Sequence, residues 1–224
     1  MTTAIIVAAG KSTRMGDGVD KSFLSLVNKP VVAWSLLAFE RCPDIDSIVL
    51  VVRKTQVEPS KTVAKMFGLS KLKAIVPGGA KRRDSVAAGL AKCPPETRIA
   101  VVHDGARPLV TPDMVSQVVE AARKHGAATI GRRMIDTVKR AGKTGTVERT
   151  EDREKLWTVQ TPQAFAFDAL KAAIAAAAEA KREDTDECAA MEAAGATVKI
   201  VECNRQNFKI TTVEDLQAAG ALLK

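Results

Sequence analysis

The sequence predicts an α/β domain: a mostly parallel sheet with helices on both faces. Three observations predict it. Short apolar runs of strand length alternate with segments of helical pattern along the chain. The runs are almost continuously apolar, as expected of strands covered on both faces. With 224 residues, 46% of them hydrophobic, the chain can build one large core without a second domain.

The elements follow in order. Ala4–Ala8, Ser47–Val52, Lys73–Val76, Ile99–His103 and Thr197–Val201 read as strands. Val31–Arg41, Val57–Phe67, Asp84–Ala91 and Pro112–His125 read as helices between them. Ala169–Arg182 is an Ala-rich helix, and Val213–Leu223 is a final one. Asp186 and Glu187 read as acids of a helix start, as do Glu214 and Asp215. In such sheets ligands sit beyond the carboxyl ends of the strands. That places the candidate site on Ala9–Lys21, Pro77–Asp84 and Asp104–Pro108.

One stretch cannot contribute to a core. Lys139–Lys155 is dense in charge and offers few apolar side chains, chiefly Ala141 and Val147. Asp136–Arg140 and Thr146–Thr150 flank a Gly-Lys-Thr-Gly turn, which predicts a protruding hairpin. An isolated hairpin is marginal in water, so it is expected to lean on another subunit. The expectation is a single domain over 1–224 with 136–157 as an inserted dimerisation arm.

Composition excludes several classes. There is no apolar run long enough to span a membrane, and Thr2–Ala9 lacks the features of a signal peptide. A cytoplasmic protein is expected. Cys42, Cys93, Cys188 and Cys203 show no CxxC spacing, so they read as reduced structural thiols. The net charge of +8 lies entirely in the first half: residues 1–112 carry 17 basic and 9 acidic side chains, residues 113–224 carry 17 of each. Such an excess favours an anionic partner. Aromatic residues are only 4% and Tyr is absent, which disfavours nucleic acid and favours a small polyphosphate.

Three motifs carry chemistry. Ala8-Ala9-Gly10-Lys11-Ser12-Thr13-Arg14-Met15-Gly16 follows the first strand, with Lys21 shortly after. Small residues let backbone N–H groups approach phosphate oxygens, and Lys11, Arg14 and Lys21 add positive charge. The loop is neither a GxxxxGK[ST] phosphate loop nor a GxGxxG turn, and an ordinary basic surface loop is the plainer alternative. Next, Gly78-Gly79-Ala80-Lys81-Arg82-Arg83-Asp84-Ser85 joins a Gly-Gly turn, a basic triplet and a helix start. Asp84 reads best as a cap, while Ser85 could bond a base or ribose. Last, Val101-Val102-His103-Asp104-Gly105-Ala106-Arg107-Pro108 ends a buried strand in a carboxylate, with an arginine three residues on. Asp104 could hold a metal-bound phosphate or a hydroxyl, and Arg107 could clamp a phosphate; a local salt bridge between them is the simpler possibility. His103 reads as buried and hydrogen-bonded rather than catalytic.

With Asp136-Thr137-Val138-Lys139, Asp152-Arg153, Thr161-Pro162-Gln163, Thr185-Asp186-Glu187 and Asn207-Phe208-Lys209-Ile210-Thr211, these pieces resemble one family. It is the bacterial 2-C-methyl-D-erythritol 4-phosphate cytidylyltransferases of isoprenoid precursor synthesis. The resemblance spans about residues 4 to 217. It implies a Rossmann-like nucleotidyltransferase fold, a Mg²⁺ requirement, CTP as co-substrate and a homodimer joined through the arm. It also implies roles. Arg14 and Lys21 would stabilise charge at the reacting phosphorus, with Lys209 and Arg153 completing the catalytic set. Ala8, Ala9, Gly10, Lys11, Ser12, Gly79, Ala80, Ser85 and Asp104 would hold CTP. Asp104, Arg107, Thr137, Arg153 and Lys209 would meet the sugar phosphate, Thr137 and Arg153 reaching the neighbouring subunit's site. Asp104 would be a metal ligand. The sequence departs from the usual pattern at Ser12, at Asp20-Lys21-Ser22 in place of Pro-Lys-Gln, at Ala80 and at Val213. Asp20 could partly neutralise Lys21. The alternatives are a ribitol 5-phosphate cytidylyltransferase, a non-catalytic nucleotide-binding regulator and a nucleic-acid-binding module.

Overall fold

A computed structural model describes residues 1–10 and 20–223 of the chain. Its centre is a seven-stranded sheet. In chain order its strands are β1 (Thr2–Ala8), β4 (Ser47–Val52), β5 (Leu72–Pro77), β6 (Ile99–Asp104), β7 (Ala127–Arg133), β10 (Trp157–Ala166) and β11 (Lys199–Glu202). Two small two-stranded ribbons supply β2 (Ser25–Leu26) with β3 (Lys29–Pro30), and β8 (Lys139–Ala141) with β9 (Val147–Thr150). The helices are α1 (Val31–Arg41), α2 (Val57–Met66), α3 (Arg82–Leu90), α4 (Pro112–His125), α5 (Phe167–Glu179), α6 (Glu187–Ala193) and α7 (Val213–Leu222).

The order across the large sheet is β11-β7-β10-β6-β1-β4-β5. β1, β4, β5 and β6 run parallel, and β11 is parallel to β7. β10 alone is antiparallel to both its neighbours, β6 and β7. The expected mostly parallel α/β sheet is therefore present, and its reversed strand is the feature that the sequence pattern did not convey.

Alternate residues of β1 explain why the strands are apolar on both sides. Ala4, Ile6 and Ala8 face a core with α1, α2 and α4, while Ile5 faces a second core with α3, α5 and α6. β4 divides likewise: Ile48, Leu50 and Val52 on one side, Val49 and Val51 on the other. A smaller cluster of Leu26, Val31, Ile210 and Ala219 docks α7. Helix ends carry ordinary signals: Thr111 accepts from the Met114 N–H at the start of α4, and Gly126 at φ 84° ends that helix.

The charged stretch forms the expected hairpin. Lys139 pairs with Thr150 and Arg140 with Arg149 across β8 and β9. Glu151 accepts from Arg140 Nε at 2.6 Å and Arg149 Nε at 3.1 Å. At its base the hairpin is tied by the Met134 N–H to the Leu156 carbonyl.

Gly89 sets how closely α3 approaches the sheet. A Cβ there would lie 2.4 Å from Ile5 Cγ2 and 3.1 Å from Val51 Cγ2. Gly89→Ala should therefore cost stability despite its gain in helix propensity, by about 1–3 kcal/mol from overpacking. Urea unfolding checks this; an unchanged or raised midpoint would contradict the close packing.

Candidate active site

The parallel strands β1, β4, β5 and β6 end together, and their following turns form one rim. Two adjoining cavities open there. The first, about 400 Å³, is lined by Ala8, Ala9 and Gly10 after β1, by Lys21 and Ser22, by the Gly79–Arg82 turn with Ser85, and by Asp104, Ala106 and Lys209. The second, about 330 Å³, is lined by Arg82, Asp104, Arg107, Lys209, the Val159–Thr161 stretch with Gln163, and Thr185 and Asp186. Arg82, Asp104 and Lys209 belong to both and form the wall between them.

The Gly78–Ser85 turn is shaped by close packing. A Cβ on Gly78 would stand 2.4 Å from Ala9 Cβ and 2.7 Å from Ser85 Oγ, so two backbone turns can touch only because this residue has no side chain. Ser85 Oγ accepts from the Gly79 N–H and donates to the Lys81 carbonyl, both at 3.2 Å. Asp84 accepts from the Lys81 N–H at 3.1 Å and caps α3. Ser85 thus holds the turn as well as facing the cavity.

The basic triplet divides three ways. Lys81 pairs with exposed Glu183. Arg83 donates to the Ala177 and Arg182 carbonyls at the end of α5. Arg82 turns into the site, where Nη2 meets Asp104 Oδ1 at 3.0 Å and Nη1 meets Glu187 Oε1 at 2.5 Å. Burial would weaken the Arg82 charge, but the two carboxylates outweigh it and hold the guanidinium firmly protonated.

Asp104 is the hub. It is 7% exposed. Lys209 Nζ donates to Oδ2 at 2.8 Å, and Arg107 Nε stands 3.8 Å from the same oxygen. Burial pushes the Asp104 pKa up, yet Arg82, Lys209 and Arg107 together hold it well below the carboxylate range. Arg107 also donates to the Asn207 carbonyl at 2.8 Å. The Asp104–Arg107 salt bridge thus exists, but as one contact of a wider cluster. Thr161 Oγ1 accepts from the Asp104 N–H at 3.0 Å, and Asn207 Nδ2 donates to the Thr161 carbonyl at 2.9 Å. The Ile210 N–H donates to the Ala106 carbonyl, which brings Lys209 beside Asp104.

His103 is buried as expected. Its ring nitrogens lie 3.3 Å from the Arg107 carbonyl and 3.2 Å from Thr161 Oγ1. Burial, helped by the neighbouring cations, lowers its pKa to about 3, so the ring is neutral and supports the turn. Asp20 is engaged with Arg53, at 3.6 Å, and with the Ser22 N–H at 3.2 Å.

Ala8, Ala9, Gly10, Lys21, Gly79, Ala80, Ser85, Asp104, Arg107 and Lys209 are therefore gathered on one rim. Lys11, Ser12 and Arg14 lie outside the described residues. Thr137 and Arg153 are exposed on the hairpin and line neither cavity; Arg153 Nη1 donates to the Ile135 carbonyl. Sequence reasoning did not single out Arg82 from its triplet. It also took Glu187 for a helix-start acid, yet Glu187 is 3% exposed and faces Arg82. Asp186 does cap α6, through the Ala189 N–H, and accepts from Gln163 Nε2 at 2.8 Å.

The chain has known relatives. The profile of the 2-C-methyl-D-erythritol 4-phosphate cytidylyltransferase family matches residues 2–224. The chain belongs to this family. The protein of that name from Pelotomaculum thermopropionicum is 46% identical over 222 residues, covering 99% of this chain and 93% of its own. That from Desulforamulus reducens is 43% identical, covering 99% and 95%. Among solved structures, the 4-diphosphocytidyl-2C-methyl-D-erythritol synthase of Anaerococcus prevotii superposes with a TM-score of 0.89 at 28% identity, covering 99% of this chain and 95% of its own. The Thermus thermophilus cytidylyltransferase superposes at 0.80 with 30% identity, covering 98% and 97%.

The Asp104 cluster makes a pH-dependent prediction. Asp104→Asn removes one carboxylate from three cations. Losing a fully buried pair typically costs roughly 3–5 kcal/mol, and Lys209 is partly solvated, so about 2 kcal/mol is expected here. A depressed carboxylate pKa contributes stability above its unfolded value, about 4, and loses it as pH falls through the lower folded value. The deficit of Asp104→Asn in urea unfolding should stay constant from about pH 8 to 5 and shrink only below about pH 4. A deficit already shrinking above pH 5 would contradict the cluster.

Proposed function

We propose that the chain joins the cytidylyl group of CTP to 2-C-methyl-D-erythritol 4-phosphate and releases pyrophosphate, a step of non-mevalonate isoprenoid precursor synthesis. The observation that carries this reading is the shared wall: one buried carboxylate holds Arg82 and Lys209 between two adjoining cavities and Arg107 on the second. A site for two phosphorylated molecules needs cations at their meeting point.

In this reading CTP occupies the first cavity. Its phosphates lie against the small-residue turns at Ala8–Gly10 and Gly79–Ala80, with Lys21 alongside and Arg14 assigned beside it by family resemblance. The sugar phosphate occupies the second, its anion towards Arg107 and Lys209. An oxygen of the sugar phosphate attacks the α-phosphorus of CTP. The new P–O bond forms as the bond to the β-phosphate oxygen breaks, and pyrophosphate leaves with that electron pair. The nucleophile is already ionised at neutral pH, so no general base is required; the neutral, doubly held His103 agrees with that. Catalysis then rests on alignment and on charge stabilisation by the cations.

Among the described residues no group of three or more His, Cys, Asp or Glu side chains is suited to hold a metal. A single carboxylate nevertheless fits Mg²⁺ bound mainly through nucleotide phosphates. Asp104 would be the protein's ligand, giving up its contact with Arg82 or Lys209 to the ion, which would supply further charge neutralisation when bound.

We also propose that the arm, residues 136–157, joins two subunits and presents Thr137 and Arg153 to the neighbour's sugar-phosphate cavity. Their exposure, outside either cavity lining of their own chain, supports this. So do the exposed apolar side chains of Ile135 at 70% and Val147 at 56%. A cytoplasmic setting suits four free cysteines, of which Cys93 has its thiol pKa pushed up to about 12 by burial. Among the described residues no helix is long and apolar enough to cross a membrane.

The test is pyrophosphate release with CTP and Mg²⁺, crossing methylerythritol phosphate against ribitol 5-phosphate. Turnover with the first and little with the second is expected. Preference for ribitol phosphate would reassign the substrate, and no CDP-linked product with either would overturn the reading.

A further inference from the structure

We infer that Arg53 is a positioning residue for the nucleotide half of the cleft, tying Gly10 to the Asp20–Lys21 turn and neutralising Asp20. This inference rests on the proposed CTP site.

The sheet puts Arg53 where it can act. β1 and β4 run side by side with Ala8 opposite Val52, so Arg53 leaves the sheet next to Ala9. Its Nη2 donates to the Gly10 carbonyl at 2.8 Å. Its Nε faces Asp20 Oδ2 at 3.6 Å. One guanidinium therefore bridges residue 10 and residue 20. Gly10, Lys21 and Ser22 line the first cavity, whereas Arg53 is not part of that lining.

Both contacts have an electrostatic consequence. A carbonyl engaged by a guanidinium does not turn its negative end towards an incoming triphosphate. The Asp20 side chain is only 6% exposed and stands one residue from Lys21. Left without Arg53, its carboxylate would oppose a polyanion at the cavity rim. Asp20 is shared between two cations, Arg53 acting on it more strongly than Lys21.

The experiment compares Arg53→Ala, Arg53→Gln and the Asp20→Asn/Arg53→Ala double variant. Kinetics with both substrates are measured with thermal midpoints and direct CTP titration. Arg53→Ala should raise the CTP KM by about tenfold, the scale of one net charge acting on a polyanion. The sugar-phosphate KM should barely change. Adding Asp20→Asn should recover most of the lost CTP affinity, because the harmful charge is then gone. Should Arg53→Ala fail to fold, Arg53→Gln removes the same charge while keeping most of the stem, and the same rise is expected. An unchanged CTP KM, an equal rise for both substrates, or no recovery in the double variant would overturn the inference. Wild-type turnover separates this result from the functional reading. If the wild type makes no product, that reading fails, and the CTP titration still decides whether Arg53 governs nucleotide binding.

Discussion

A buried carboxylate surrounded by three cations is the interaction on which this site depends. Burial pushes the Asp104 pKa up; Arg82, Lys209 and Arg107 outweigh it and keep the carboxylate ionised. The dependence runs both ways. Three positive side chains would repel one another and spread into solvent without a negative charge among them. Asp104 lets them stay within a few ångströms, preorganised for phosphate.

The fold supplies that meeting from distant parts of the chain. Arg82 belongs to the first turn of α3, Arg107 to the turn after β6, and Lys209 to the segment before α7. Strand pairing fixes the ends of β1, β4, β5 and β6 in one row, so the turns that follow share a rim. The reversed strand β10 contributes from the other side: Thr161 receives the Asp104 N–H, and its carbonyl holds Asn207, two residues from Lys209. Glu187 completes the arrangement by occupying the second face of Arg82.

Much of this was legible from residue pattern. β4, α1 and α4 have the boundaries that their apolar runs announce, and β1, β5, β6, α2, α3, α5 and α7 differ by a few residues at their ends. β11 is offset by two residues at its start and one at its end. β7 and β10 were not legible. β7 contains Gly131 and ends in two arginines, which weakens any strand signal; its glycine admits Ile200, whose Cγ2 would stand 2.9 Å from a Cβ. β10 carries Pro162, which argues against an interior strand, and the sheet accommodates it with a register shift between Gln160 and Gln163. In the site, Asp104 and Arg107 stood out because they follow a buried strand. Arg82 did not, because three adjacent basic residues look alike until α3 is docked and each turns a different way. Glu187 was hidden for a similar reason: an acid in a first helical turn usually faces water, and only the packing of α6 buries it.

The most direct measurement is a crystal structure of the protein with a non-hydrolysable CTP analogue and the sugar phosphate together. The account predicts the nucleotide phosphates against the Gly10 and Gly79 turns and the sugar's phosphate within hydrogen-bonding reach of Arg107 and Lys209, the two anions meeting at the edge that Arg82 and Lys209 share between the cavities. Both phosphates bound elsewhere, with Arg82, Arg107 and Lys209 still clasping Asp104 and touching neither ligand, would contradict it.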